Sequence, residues 1–130
     1  MSDLKVEDLS SALPTPEVWG SFKVLGVEGT RLELFGWVLG KSSEVERVEV
    51  LAEGSVIAST GPEVPRPDVA ELHPGRESAA TCGFRVVIEA KGKGHSELEL
   101  RAVLEDDTLV RMGAVRVFAP ARRWDVFRRR

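Results

Sequence analysis

Strict alternation of apolar and polar residues in the second half of the chain is the feature that most restricts its fold. Four apolar residues of Ser96–Glu105 fall on one side of an extended chain: Leu98, Leu100, Ala102 and Leu104. Because successive side chains of a strand point to opposite faces, this period of two predicts a strand with one buried and one wet face. Gly83–Ala90 has the same period. Strands of this kind are typical of antiparallel sheets.

Five further stretches have strand character and are separated by glycines or acidic turns: Ser21–Val27, Arg31–Leu39, Glu46–Ala52, Ser55–Ser59 and Thr108–Phe118. Glu53-Gly54 and Lys91–His95 are predicted hairpin connections, and a shift of the inward register near Gly113 predicts a β-bulge. About seven short strands without a central helix favour two packed antiparallel sheets, since one sheet would leave an apolar face in water. The predicted fold is therefore all-β, an immunoglobulin-like β-sandwich, with a closed barrel as the alternative.

A chain of 130 residues with 42% hydrophobic residues supports one core. We assign residues 18–120 to the sandwich domain and residues 121–130 to a basic tail. Residues 1–17 are predicted to be an N-terminal extension or linker, in which the apolar residues of Asp3–Leu13 indicate a short, frayed helix. Pro14-Thr15-Pro16 then ends that helix.

The charge of the chain is unevenly distributed. The formal charge of -3 divides into +4 for residues 122–130, with five arginines and one aspartate, and -7 for residues 1–121. An acidic body disfavours nucleic acid as its ligand, because phosphates require a basic face. The tail is either a solvated end or a contact for phosphate, an anionic membrane surface or an acidic partner.

Cysteine content and hydropathy predict the compartment. Cys82 is the single cysteine, so no internal disulfide can form. No apolar run is long enough for a transmembrane segment, and the first residues lack the pattern of a signal peptide. We therefore expect a cytoplasmic protein.

A long polar crossing begins with Pro65–Pro74, interrupts the succession of strands and ends at Cys82-Gly83-Phe84. Pro67 suits the first position of a helix, so Asp68–Leu72 is predicted to form a short helical turn within residues 65–83. Four of its side chains either fix the crossing to a sheet or present hydrogen-bonding groups to a polyhydroxylated ligand: Arg66, Asp68, Glu71 and His73.

Phe35-Gly36-Trp37 gives its strand two apolar faces. Trp37 is then either a core residue of a central strand, as is common in sandwiches, or part of an exposed aromatic strip with Phe35 that stacks on sugar rings. Trp19 is expected to anchor a tail. The predicted ligand-binding residues are Phe35, Trp37, Arg66, Asp68, Glu71 and His73.

Catalytic chemistry finds little support in the sequence. His73 and His95 belong to separate loops, and Cys82 has no evident partner base. Glu105-Asp106-Asp107 lacks the alternating oxygen ligands of a calcium loop and is better explained as a solvated turn. We predict no catalytic residue, no metal site and no cofactor.

Several segments, in a fixed order, carry a resemblance to a known module: Phe35–Val38, Val45–Val50, Arg66–Ala70, His73-Pro74, Cys82–Phe84 and Glu97–Ala102. Between about Thr30 and Phe118 the chain resembles a bacterial β-sandwich module appended to glycosyltransferases and other surface-polysaccharide enzymes. It departs from that pattern at His73, which replaces an aromatic residue before proline, at Val38, which replaces a small residue, and at Glu53, which replaces the aspartate of a turn.

The resemblance implies a non-catalytic accessory domain with a bacterial polysaccharide and an adjoining glycosyltransferase as expected partners. The alternative is a protein-interaction or spacer domain that docks a neighbouring domain or protomer through its strand edges. The sequence leaves the oligomeric state open.

Overall fold

The structure, a computed structural model, describes residues 4–89 and 94–119. Within these ranges the chain forms eight strands, one short α-helix and one 3₁₀ turn. The strands are β1 (Lys5–Ser11), β2 (Val18–Glu28), β3 (Arg31–Gly40), β4 (Val45–Ala52), β5 (Ser55–Thr60), β6 (Gly83–Glu89), β7 (Gly94–Leu104) and β8 (Leu109–Ala119). Between β5 and β6 lie helix α1 (Pro67–Leu72) and the 3₁₀ turn Glu77–Thr81.

The strands form two antiparallel sheets. One has five strands in the order β1-β8-β7-β4-β5, and the other has three in the order β2-β3-β6. This arrangement places the C, F and G strands of an immunoglobulin-like sandwich at β4, β7 and β8. The predicted all-β sandwich is confirmed, as is the helical turn in the crossing.

The core lies between the sheets and is filled by the inward residues of the alternating pattern. On β3 these are Leu32, Leu34 and Val38, each at most 1% exposed, and on β7 Leu100 is fully buried. Burying a side chain of this size stabilises the fold by about 1.5–3 kcal/mol. The period of two therefore reports directly on which face of each strand meets the opposite sheet.

Phe22 packs across the core between two glycines. A Cβ atom at Gly36 would overlap the carbonyl oxygen of Ser21 and lie 2.9 Å from the Cβ of Phe22, and one at Gly113 would lie 2.7 Å from the Phe22 ring. Gly113 also has a φ of 151° at a register shift between β7 and β8. The predicted bulge near this residue is confirmed, and the absence of a side chain there makes room for the Phe22 ring.

The helix predicted within Asp3–Leu13 is wrong, because Lys5–Ser11 is strand β1 and pairs with β8. A bulge between Val6 and Asp8 shifts the phase of the strand. Val6 and Leu9 consequently both pack against the core at a spacing of three, which resembles helical periodicity. Part of the predicted extension 1–17 thus belongs to the five-stranded sheet.

The hairpin turn at Glu53-Gly54 is confirmed, with both residues at positive φ between β4 and β5. The connection Lys91–His95 falls mostly outside the described residues, and the basic tail 121–130 falls wholly outside them. In the part of the chain that the structure describes, no helix has the length and apolar character needed to cross a bilayer.

Candidate functional site

The outer face of the three-stranded sheet carries the two aromatic residues selected from the sequence. Phe35 and Trp37 alternate with the inward residues of β3, and both are half-buried. Trp37 lies in register between Ser21 and Gly83, and Phe35 lies between Lys23 and Arg85. The strand neighbours of Trp37 are therefore small, whereas those of Phe35 are long and cationic.

The whole segment between β5 and β6, which contains helix α1 and the 3₁₀ turn and is called the crossing from here on, covers one end of this face. Helix α1 and the 3₁₀ turn form a second, small core there, whose buried members are Leu39, Val69, Ala79 and Cys82. Trp19 and Trp37 are partly buried against this cluster. Both faces of β3 are apolar for this reason: one meets the main core, and one end of the other meets the crossing.

Gly83, on the edge strand β6, allows the crossing to approach the sheet closely, and Val64 of the crossing forms an antiparallel bridge with it. Val64 and Gly83 exchange two backbone hydrogen bonds of 2.9 Å, and the Arg66 N–H donates to the Ala80 carbonyl over 2.8 Å. A Cβ atom at Gly83 would lie 2.8 Å from the Val64 carbonyl oxygen and 3.0 Å from the Cγ of Arg66. Glycine is therefore required for this close approach of two backbone segments.

Arg66 and Asp68 are paired with each other. Nε and Nη2 of Arg66 donate to the two carboxylate oxygens of Asp68 over 3.0 and 2.9 Å. The hydrogen bonds from Arg66 lower the pKa of Asp68 from 3.8 to about 2. A bidentate pair of this geometry stiffens the start of α1. These two predicted ligand residues thus use their principal hydrogen-bonding groups within the crossing.

His73 ends helix α1 and brings the crossing into contact with the aromatic residues. Its N–H donates to the Val69 carbonyl over 3.0 Å. Its ring centroid lies 4.5 Å from that of Trp19 and 6.3 Å from that of Trp37, with tilted planes. Glu71, by contrast, is exposed on α1. The structure therefore groups Phe35, Trp37 and His73 on or beside one face.

Trp19, Lys41 and Arg76 join this group although sequence reasoning did not select them. The Nζ of Lys41 and the Cζ of Arg76 each lie 5.1 Å from the centroid of the Trp19 ring, within the range of cation–π attraction. Arg76 also donates hydrogen bonds to the carbonyls of Gly40 and Lys41, the first over 2.8 Å. These bonds attach the crossing to the loop that follows β3. The predicted strand Ser21–Val27 did not include Trp19, which lies on β2 in the structure, so the sequence contained no direct indication of this cluster.

Arg76 differs from the other arginines in the described ranges. All the others lie within 4.0 Å of a carboxylate: Arg31, Arg47, Arg66, Arg85, Arg101, Arg111 and Arg116. Arg76 has main-chain carbonyls as hydrogen-bond acceptors and, among the described residues, no carboxylate within that distance. Its positive charge is consequently not neutralised by an ion pair there.

A concavity of about 860 Å³ lies beside Arg76. Its wall is mainly polar and includes six side chains that can donate or accept hydrogen bonds: Glu44, His73, Arg76, Glu77, Ser78 and Thr81. Such a mixture of planar and hydroxyl groups suits a ligand with many hydroxyls.

Cys82 has a structural environment. Its thiol donates to the Ala79 carbonyl over 3.3 Å, and burial raises its pKa. Both effects disfavour the reactive thiolate. Across residues 4–89 and 94–119, no group of three or more His, Cys, Asp or Glu residues is placed to hold a metal ion.

Comparison of the chain with protein-family models and with curated proteins gives no match.

Proposed function

We propose that this chain is a non-catalytic accessory β-sandwich module that binds carbohydrate for a polysaccharide-processing enzyme. The observation that carries the proposal is the aromatic surface formed by Phe35 and Trp37 on the outer face of the three-stranded sheet. Both side chains are half-buried, so each ring is held by the fold while part of it faces solvent. Aromatic rings of this kind stack on the apolar faces of sugar rings.

The polar surroundings support a hydroxylated ligand. His73 stands beside the aromatic residues, and Arg76, Ser78 and Thr81 line the adjoining concavity. A flat apolar platform next to converging hydrogen-bonding groups satisfies both the faces and the edges of a sugar. The resemblance to accessory modules of surface-polysaccharide enzymes favours the same class of ligand, including a bacterial polysaccharide.

Affinity gel electrophoresis with a panel of neutral and acidic bacterial polysaccharides tests this function. We expect the protein to be retarded by at least one polysaccharide, and Phe35→Ala to weaken that binding by about tenfold, the effect of removing an aromatic contact from an interface. Trp37→Ala should have a larger effect. Because Trp37 also packs on the small core, Phe35→Ala is the variant that separates binding from folding.

Phe118→Ala is the matched control. Phe118 is a half-buried aromatic residue of β8, in the opposite sheet, and its ring contacts His95. Its removal should leave polysaccharide binding unchanged. Equal losses in Phe118→Ala and Phe35→Ala, or no retardation by any member of the panel, would contradict the proposal.

A protein-docking module is the second candidate function, and a specific observation favours it. Four large apolar side chains between 41% and 50% exposed lie along β5, β6 and their connection: Val56, Ile57, Val64 and Val87. An apolar surface on neighbouring strand edges is typical of a contact with another domain or protomer.

Light scattering coupled to size-exclusion chromatography tests the docking function for the case of a second copy. If this surface joins protomers, the wild-type protein is a dimer and Ile57→Lys is a monomer. Leu109→Lys, at an isolated exposed position of β8, should leave the mass unchanged. A monomer at all concentrations would rule out self-association through this surface.

A further inference from the structure

Arg76 carries a positive charge that the described part of the fold leaves without a carboxylate partner. Every other arginine in these ranges is within 4.0 Å of a carboxylate. The residues before the basic tail carry a net formal charge of -7, so carboxylates are abundant. Arg76 is half-buried, lies beside an aromatic cluster and a concavity, and has no carboxylate within 4.0 Å among the described residues, so an anionic group can bind at this position.

The guanidinium group is already oriented for such a contact. Nη1 and Nη2 each donate to a backbone carbonyl, of Gly40 and Lys41 respectively. An arginine has five N–H donors, so three remain after these two bonds. Since the carbonyls restrict the rotation of the side chain, little conformational entropy is lost when an anion binds. Lys41, at 5.1 Å from the Trp19 ring, adds a second positive charge on the same aromatic residue.

The acidic residues of the concavity determine which anion fits. Glu44 and Glu77 line it together with Arg76, so a simple inorganic anion would be repelled by two carboxylates. A sugar acid has both kinds of group: its carboxylate accepts hydrogen bonds from Arg76, and its hydroxyls donate to the glutamates. We propose that the ligand of this module is a polysaccharide containing uronic acid, whose carboxylate binds at Arg76, with the charge of Lys41 on the Trp19 ring adding to the positive potential there. This inference rests on the proposed carbohydrate-binding function and names its substrate class.

Calorimetric titration with polygalacturonate and with fully methyl-esterified polygalacturonate isolates the contribution of the carboxylate, because the sugar ring is the same in both. We expect the acidic form to bind at least about tenfold more tightly, as for a charge-assisted hydrogen bond. Raising the salt concentration should weaken binding of the acidic form and leave the ester unaffected. Equal affinity for both forms would overturn the inference and leave the carbohydrate function standing. Binding of neither would count against both.

Substitutions of Arg76 and Lys41 test where the carboxylate of the uronic acid binds. Arg76→Gln should abolish the preference for the acidic form, and Lys41→Met should reduce it about threefold to fivefold, as for a partly screened charge. Lys41→Met keeps the backbone carbonyl that accepts from Arg76, so it reports on charge if Arg76→Gln fails to fold. Arg111→Gln is the control, since Arg111 is exposed on the five-stranded sheet and paired with Glu99. The assignment would be refuted if Lys41→Met keeps the full preference for the acidic form, or if Arg76→Gln folds and keeps it.

Discussion

Replacing Gly83 with alanine is the most direct test of how the crossing is held over the candidate site. The added Cβ would lie 2.8 Å from the Val64 carbonyl oxygen, 2.9 Å from the Cβ of Val64 and 3.0 Å from the Cγ of Arg66. The first two contacts are with groups that cannot rotate away, so the backbone of the crossing must move or be compressed.

The two responses have similar costs. If the crossing moves, the two 2.9 Å hydrogen bonds between Val64 and Gly83 are lost, at about 0.5–1.5 kcal/mol each. If it stays, overpacking costs about 1–3 kcal/mol. The lower backbone entropy of alanine in the unfolded chain offsets about 0.5–1 kcal/mol. We expect a net loss of about 1–2 kcal/mol, which lowers the melting temperature by about 4–8 °C in a chain of this size.

Differential scanning calorimetry measures this shift, with Gly26→Ala as the matched control. Gly26 lies on β2 and has no atom within 4 Å of an added Cβ, so its replacement should leave the melting temperature unchanged or raise it slightly. If Gly83→Ala melts within 1 °C of both Gly26→Ala and wild type, on the order of the assay error, then the crossing does not pack against Gly83 as described.

Two further predictions concern the same crossing. Asp68→Asn should lower the melting temperature at neutral pH, and this difference should decrease as the pH falls. The folded-state pKa of Asp68, about 2, is below its ordinary value of 3.8. The stabilisation by the ionised carboxylate is therefore present above the unfolded-state pKa and is lost as the pH falls through the folded-state pKa. A difference that is as large at pH 2 as at neutral pH, or that grows on acidification, would refute this. Cys82 should react with a thiol reagent only slowly in the native protein, because it is 2% exposed and its pKa is raised. The reaction should be faster in Gly83→Ala. Rapid labelling of the wild-type protein would contradict the buried environment.

The sandwich could be predicted because alternation is a local property of the sequence. Leu98, Leu100 and Phe84 show which face of their strands is buried without reference to any other strand. The failure at β1 has a local cause as well. A bulge near Glu7 places Val6 and Leu9 on one face at a spacing of three, and such a spacing indicates a helix unless the bulge is known.

The orientation of Trp37 could not be decided from the sequence, because β3 is apolar on both faces. Leu32 and Leu34 face the main core, while Leu39 and Trp37 face the small core beneath the crossing. Phe35 lies on the same outer face and is not among the residues packed against that small core. The sequence of β3 therefore fits both a buried central strand and an exposed aromatic strip. Only the position of the crossing shows which part of the outer face is covered.

Arg76 was missed for a different reason. In the sequence it stands between Gly75 and Glu77, which is the pattern of an ordinary solvated loop. Its acceptors, the carbonyls of Gly40 and Lys41, come from the end of β3 and the residue after it, some 35 residues away. That it has no carboxylate within 4.0 Å among the residues that the structure describes is visible only when the other arginines have been placed. Pairing is a property of the folded chain, whereas residue type is a property of the sequence. A composition with more acidic than basic residues therefore gives no sign of a position such as Arg76, where the described part of the fold places no carboxylate beside a fixed positive charge.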